Sequence, residues 1–127
     1  MTFRVCMRDM DHANIYYAAY YEWMERSAAE FFNAAGHPLA EIFGSGLGIP
    51  TVQSGCTYLA PVSLDDVLRV RTWVARMGRR SFTMAHEFTR VSDGRRVAQG
   101  FVTDVWVKRP EMEPTSPPEW FRRLTAP

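Results

Sequence analysis

The stretch that decides the fold is residues 14–36, NIYYAAYYEWMERSAAEFFNAAG. Its aromatic and small residues recur at the spacing of an amphipathic helix, at Tyr16, Tyr20, Trp23, Ser27, Ala28, Phe31 and Ala35. Charged and amide side chains gather on the opposite side, at Glu22, Glu25, Arg26, Glu30 and Asn33. Asn14 is a good N-cap, and Gly36 with the following Pro38 supplies a stop signal. We therefore expect one long helix over residues 15–35, with one buried face and an i,i+4 pair of Glu22 with Arg26.

Two carboxylates, Asp9 and Asp11, come just before the expected start of this helix. A helix N-terminus carries about half a positive charge and several unpaired amides, so it keeps a nearby carboxylate ionised. The same amides can bind a polar oxygen of a ligand. An aspartate before a helix is also an ordinary capping residue. The local sequence leaves capping and chemistry equally open.

Composition bounds the class of protein. A chain of 127 residues that is 46% hydrophobic has the size of one compact domain with a real core. We expect a single domain over residues 1–127, in which residues 110–127 form a proline-rich tail. The formal net charge of +1 gives no global field that would recruit nucleic acid or an anionic membrane.

Targeting and metal-binding signals are weak. There is no run of about 18 apolar residues, and the first ten residues alternate like a strand, so we expect a cytoplasmic protein. Cys6 and Cys56 are too few for a disulfide scaffold, and we expect them to be inert packing residues. The histidines do not have zinc-site spacing; they are His12, His37 and His86. We expect no metal and no organic cofactor.

The rest of the chain has strand patterns. Residues 3–8 alternate apolar and polar side chains, and a period of two returns over residues 51–59, 67–75, 81–91 and 97–107. Short helices are expected at residues 38–43 and 118–124. Asp93-Gly94 predicts a two-residue hairpin, because both central positions of that turn favour positive φ, and Gly78 can serve the preceding turn. The last three strands should therefore form an antiparallel meander.

An antiparallel sheet must cover its apolar face, and only the helix of residues 15–35 is long enough to do so. The expected fold class is α+β, with an antiparallel five-stranded sheet wrapped around one long central helix. This arrangement is the hot-dog fold. Within it we expect the aromatic residues Tyr16, Tyr20, Trp23 and Tyr58 in the core, and His86 on a sheet surface.

Three separate motifs resemble the 4-hydroxybenzoyl-CoA thioesterase family, in particular its short acyl-CoA thioesterase branch. The first is RDMD over residues 8–11, followed by IYYAAY over 15–20 and MER over 24–26. The second is YLAPVSLDDVLRV over residues 58–70, and the third is GRRSF over residues 78–82. They occur in the family's order and are spread over residues 8–82.

The resemblance implies a role for each residue near the helix. Asp11 matches the catalytic carboxylate, acting either as nucleophile or as general base on water. The backbone amide of Tyr17 matches the donor that polarises the thioester carbonyl, with the amide of Tyr16 as second candidate. Asp9 is expected to shape the loop, with His12 and Asn14 beside it. Asn14 departs from the family, which usually has a glycine there, and the loop is one residue shorter.

The hairpin motif implies the coenzyme site. In the family this hairpin lies near the CoA phosphates, so Arg79, Arg80 and Ser81 are the candidate CoA-binding residues, with ordinary solvated charge as the equal alternative for the two arginines. Family members pair their open sheet edges by dimerising, so we expect a homodimer or homotetramer. No nucleic acid or membrane partner is expected.

The implied activity is hydrolysis of an acyl- or aryl-CoA thioester, or of an acyl carrier protein thioester, without a cofactor. One alternative is a non-catalytic hot-dog module that binds acyl-CoA or acyl carrier protein. The other is a hot-dog dehydratase or hydratase, which uses a histidine with an acidic partner. The loop before the long helix lacks an Asp and a His several residues apart, which disfavours a dehydratase or hydratase.

Overall fold

The computed structural model describes residues 1–11, 15 and 17–124. The helices within these residues are Ala18–Ala34 (α1), Leu39–Gly44 (α2) and Glu119–Leu124 (α3). The strands are Thr2–Arg4 (β1), Leu47–Gly48 (β2), Thr51–Tyr58 (β3), Val67–Met77 (β4), Ser81–Arg90 (β5), Arg96–Val105 (β6), Val107–Lys108 (β7) and Glu113–Pro114 (β8). A 3₁₀ turn spans Met7–Asp9.

The main sheet has five antiparallel strands in the order β1-β4-β5-β6-β3. The consecutive pairing of β4, β5 and β6 confirms the expected meander. β3 pairs with β6 on one side and forms a sheet edge of 8 residues, whereas β1 at the opposite edge has only 3. A small second sheet joins β2, β7 and β8.

Helix α1 covers one face of this sheet. Alternate residues of β5 are buried towards it, because strand side chains alternate between faces; they are Phe82, Met84, His86 and Phe88. Tyr20 and Trp23 pack on Phe88 near the start of α1, with ring centroids 5.4 and 6.4 Å away. Near its end, Phe32 packs on Phe82 at 6.3 Å. The α+β fold of a five-stranded sheet around one long helix is confirmed.

The long helix differs from its prediction at its start and on its surface. It begins at Ala18, with Tyr17 as N-cap residue, while Asn14 lies outside the described residues. Gly36 has φ +85° and follows the last turn, so the predicted stop is confirmed. Glu22 lies 3.7 Å from Arg8 instead of pairing with Arg26, whose guanidinium lies over the ring of Phe3 at 4.9 Å.

Two backbone predictions were wrong. The first strand ends at Arg4 because the Asp9 carboxylate accepts a hydrogen bond from the Cys6 amide at 3.0 Å and closes a turn. The hairpin between β5 and β6 is longer than two residues, and of its Asp93-Gly94 pair only Gly94 has positive φ, +71°.

His86 was placed wrongly on a sheet surface. Its side chain is 1% exposed on the helix-covered face of β5. Nδ1 lies 2.8 Å from the Thr72 hydroxyl on the neighbouring strand. Burial lowers the pKa of His86 to about 4, so the imidazole is neutral at physiological pH.

Candidate active site

An open groove of about 470 Å³ lies at the N-terminal end of α1. One wall comes from the start of the helix and the other from the end of β3 and the loop after it. The lining residues are Ile15, Tyr17, Tyr20, Tyr58, Leu59, Ala60, Pro61 and Val62. The helix N-terminus therefore opens onto a largely apolar cleft, which is typical of a ligand site.

Arg90 holds the loop wall of this groove in place. Its Nη1 donates to the Pro61 carbonyl at 2.9 Å, and its Nη2 and Nε contact Asp93 at 2.8 and 3.1 Å. Within the same loop, the Asp66 carboxylate accepts from the Ser63 amide at 2.8 Å. The wall is thus a hydrogen-bonded structure built on the β5–β6 hairpin.

The two candidate aspartates occupy different environments. Asp9 is 4% exposed, and its Oδ2 accepts from the Cys6 amide at 3.0 Å and from the Cys6 thiol at 3.2 Å. Asp11 is exposed and follows Met10, whose backbone forms an isolated antiparallel bridge with Ile15. Because Ile15 lines the groove, the bridge places the Asp11 backbone within roughly 10 Å of the groove wall.

The N-terminus of α1 supplies amide donors at the groove. The side chain of the N-cap residue Tyr17 makes no capping hydrogen bond, and the first turn has no acidic residue. A 17-residue helix carries a partial positive charge at this end. Since Tyr17 itself lines the groove, a ligand oxygen bound here would meet a helix terminus that its own cap residue does not close.

The polar side chains behind the groove are poor nucleophiles. Burial raises the pKa of the Cys56 thiol to about 11, and it raises the pKa of Tyr20 to about 12. Both groups therefore stay protonated near neutral pH. Among the described residues around the groove, this leaves the exposed Asp11 carboxylate as the candidate nucleophile or base.

The predicted CoA-binding residues lie at the other end of the sheet. Arg79 and Arg80 are exposed in the β4–β5 hairpin, and Ser81 begins β5. Phe82 packs near the end of α1 and Phe88 near its start. Six strand residues span about 20 Å, so the structure does not bring this hairpin to Asp11 within one chain.

Several expectations fall outside the described residues or need correction. His12, Asn14 and Tyr16 lie outside them, so their predicted roles stay predictions. Tyr58 was expected in the core, but it is 49% exposed and lines the groove, with its ring centroid 5.0 Å from that of Tyr20. Across residues 1–11, 15 and 17–124, no group of three or more His, Cys, Asp or Glu could hold a metal ion. No helix of that part of the chain is long and apolar enough to cross a membrane.

Sequence reasoning missed the loop wall as part of the site. Residues 59–62 line the groove, yet the YLAP segment served only as a sign of resemblance. The available signal was an apolar run that continues past the strand into a proline turn, since a loop that exposes apolar residues is commonly a binding surface.

Comparisons with known proteins agree with this geometry. Residues 5–124 match the model of the thioesterase-like superfamily. The 4-hydroxybenzoyl-CoA thioesterase of Pseudomonas sp. (strain CBS-3) is 28% identical over 95 residues, which cover 72% of this chain and 67% of that protein.

Solved structures extend the comparison to nearly the whole chain. A gentisyl-coenzyme A thioesterase superposes with a TM-score of 0.87 at 29% identity, covering 96% of this chain and 98% of the other. A hypothetical protein of Staphylococcus aureus in complex with CoA has a TM-score of 0.88 at 22% identity, with 98% and 78% covered, and shows the common fold.

The family match spans almost all of the chain, and the fold and the helix-end groove agree with it. The chain therefore belongs to the thioesterase-like superfamily, and it is a thioesterase with the hot-dog fold.

Proposed function

We propose that the protein hydrolyses acyl- or aryl-CoA thioesters in the groove at the start of α1, with Asp11 as the catalytic carboxylate. The observation that carries this proposal is the helix N-terminus at Tyr17, which opens onto the groove beside the loop that bears Asp11. The relatives named above act on 4-hydroxybenzoyl-CoA and gentisyl-coenzyme A, which supports a CoA thioester as substrate.

The amides at the helix start would bind the thioester carbonyl oxygen. The amide of Tyr17 is the first candidate and that of Tyr16 the second. Negative charge grows on this oxygen as the carbonyl carbon becomes tetrahedral, and the helix terminus stabilises it. These donors therefore bind the transition state more strongly than the ground state, which is what accelerates the reaction.

Asp11 would carry the covalent step by one of two routes. As general base it takes a proton from water while the water oxygen attacks the carbonyl carbon. As nucleophile its oxygen attacks that carbon, and water then hydrolyses the resulting anhydride. Both routes break the carbon–sulfur bond and release CoA as a thiolate that takes up a proton, leaving the free acid.

The coenzyme would bind across a dimer. β3 is an exposed edge strand, and such edges are normally paired. Antiparallel pairing of two β3 strands about a two-fold axis puts the Thr51 end of one beside the Tyr58 end of the other. Ser81 pairs with Val105, whose amide bonds the Pro50 carbonyl at 3.1 Å, so the hairpin lies at the Thr51 end. Arg79 and Arg80 would then reach the partner's groove.

The test is release of CoA from a panel of acyl- and aryl-CoA thioesters, followed with a thiol reagent. We expect hydrolysis by the wild type and a loss of ~10²–10⁴ in kcat for Asp11→Asn, the usual cost of removing a general base. Glu30→Gln removes an exposed carboxylate near the end of α1, away from the groove, and should change kcat little.

Two results would count against the proposal. No release from any thioester would favour a binding module that takes acyl-CoA or acyl carrier protein. An Asp11→Asn variant that keeps more than about a tenth of the wild-type kcat would move the catalytic role to another residue.

A further inference from the structure

The loop between β3 and β4 forms a wall of the groove at its start and is bonded, at its end, to the segment that leads to Asp11. The Val5 amide donates to the Asp66 carbonyl at 2.8 Å, and the Asp65 amide donates to the Val5 carbonyl at 2.9 Å. Val5 is fully buried, and Asp11 comes six positions after it, beyond the 3₁₀ turn. The end of the β3–β4 loop therefore fixes where the chain towards Asp11 begins.

This junction contains a residue in an unfavourable backbone conformation. Asp65 has φ +69°, in the left-handed region that residues other than glycine seldom adopt. Its carbonyl accepts from Arg4 Nη1 at 3.2 Å. The neighbouring Asp66 closes a turn with Ser63, because its carboxylate accepts from the Ser63 amide at 2.8 Å and its amide donates to the Ser63 carbonyl at 3.1 Å. Such a conformation persists only where surrounding contacts hold it.

The guanidinium of Arg90 contacts both ends of the β3–β4 loop. Its Nη1 lies 2.9 Å from the Pro61 carbonyl oxygen, at the groove, and 3.9 Å from Asp66 Oδ2, at the junction with Val5. Nε and Nη2 bind the two carboxylate oxygens of Asp93, which fixes the orientation of the planar group. The Arg90 side chain is only 16% exposed, so water screens these contacts less than it screens a surface pair.

Arg90 can influence the reaction only through this loop. It is not among the described residues that line the groove, so it has no direct contact with a substrate bound there. The position of a catalytic carboxylate is critical, since a displacement of about 1 Å can cost a factor on the order of 10² in rate. A lysine at this position would keep the charge, but its ammonium cannot reproduce the planar fork that holds Pro61, Asp66 and Asp93 together.

We propose that Arg90 is a positioning residue for hydrolysis. By holding Pro61 and Asp66 in a fixed relation, it aligns Asp11 with the start of α1, where the thioester carbonyl would bind. Arg90 acts through Asp66 and Val5 and touches none of the reacting atoms. This inference rests on the proposed function, because it takes Asp11 as the catalytic carboxylate.

The test is a double-mutant cycle on kcat, measured on folded protein at saturating CoA thioester. We expect Arg90→Lys to lower kcat by ~10-fold when Asp11 is present, because the carboxylate is misaligned. In the Asp11→Asn background the same change should lower the residual kcat by less than about twofold, because the group that Arg90 aligns is already absent. A wall that merely loosens would instead raise KM, or would lower kcat equally in both backgrounds.

Arg96→Lys is the matched control. Arg96 begins β6 across the same hairpin, and its Nε lies 3.5 Å from Glu87. This variant should leave both kcat and KM unchanged. If Arg90→Lys does not fold, Asp93→Asn replaces it in the cycle, since it keeps the guanidinium and removes the half-exposed carboxylate that orients it. The same pattern of kcat is expected.

An unchanged kcat in folded Arg90→Lys, or an equal loss of kcat in both backgrounds, would overturn the inference and leave the proposed function standing. The same criterion applies to Asp93→Asn if only that variant folds. A wild type that releases CoA from no thioester, or an Asp11→Asn variant that keeps more than about a tenth of the wild-type kcat, would overturn the proposed function and this inference together.

Discussion

At the scale of single residues, two aspartates separated by one residue have different environments. Asp9 is the last residue of a 3₁₀ turn, and its buried carboxylate accepts from the amide of Cys6, the residue just before that turn. Asp11 is exposed beyond that turn, where the chain bridges back to Ile15 beside the groove. An aspartate can thus stabilise the backbone at position 9 and be available for catalysis at position 11.

We expect Asp9→Ala to lower the free energy of unfolding by about 1–3 kcal/mol, because it leaves the Cys6 amide without its acceptor. Asp11→Ala should change that free energy by less than about 0.5 kcal/mol, as is usual for exposed sites. Urea unfolding measures both, and kcat measured on the folded fraction should fall much further for Asp11→Ala. If Asp9→Ala lost as much kcat as Asp11→Ala and kept the wild-type stability, Asp9 would not be the structural residue of the pair.

At the scale of elements, β5 and α1 enclose a polar group within an otherwise apolar layer. His86 contacts Thr72 through Nδ1, and its Nε2 has no hydrogen-bond partner among the described residues. Ser27 on α1 is also buried, and its hydroxyl is likewise unpaired within the described part of the chain. Protonating His86 would place a charge in this layer, so the packing of α1 on β5 depends on a neutral imidazole.

Stability should therefore fall in mild acid. Burial lowers the pKa of His86 to about 4, whereas the unfolded chain takes up this proton near the usual value of about 6.5. Between these two pH values the unfolded state binds more protons, so the contribution of His86 is complete above about 6.5 and is lost towards 4. Linkage gives a loss of about 2 kcal/mol between pH 7 and pH 5.

Urea unfolding at the two pH values measures this loss. His86→Gln should reduce the pH dependence of the free energy of unfolding. An NMR titration of the wild-type protein supplies the pKa directly if His86→Gln does not fold. A His86 pKa near the ordinary value would refute the expectation.

At the scale of the whole molecule, the groove joins segments that are far apart in the sequence. Ile15 and the start of α1 form one side of it, and the end of β3 with the following loop, which Arg90 supports, forms the other. These segments come together only because of the strand order in the sheet. The β4–β5 hairpin, which bears Arg79 and Arg80, lies at the opposite end of the sheet. The proposed complete site therefore needs a second copy of the chain.

Mixed dimers test this arrangement. We expect Arg79→Ala with Arg80→Ala to raise KM for CoA thioesters and Asp11→Asn to remove kcat. Co-refolding the two variants should give mixed dimers with one working site of wild-type KM. That site takes Asp11 from the arginine variant and Arg79 with Arg80 from the Asp11→Asn variant. Light scattering checks that each variant and the co-refolded mixture are dimeric.

Two outcomes would contradict shared sites. Mixed dimers whose remaining activity keeps the raised KM would place the arginines outside the partner's site. A wild-type monomer of 14.6 kDa at micromolar concentration would exclude the dimer itself.

The sequence by itself determined the long helix, the four long strands and the fold, because helical and strand periods are local properties of side-chain burial. The helical period of residues 14–36 and the alternating strands were enough for a hot-dog sheet around α1, and the motifs were enough for the family. Tertiary structure decided what depends on contacts between distant residues. It buried His86, exposed Tyr58 in the groove, paired Glu22 with Arg8 and set Arg79 and Arg80 about 20 Å from the groove. The periodicity of a segment predicts the face on which each of its side chains lies. Only strand order and register decide which side chains from distant segments share that face.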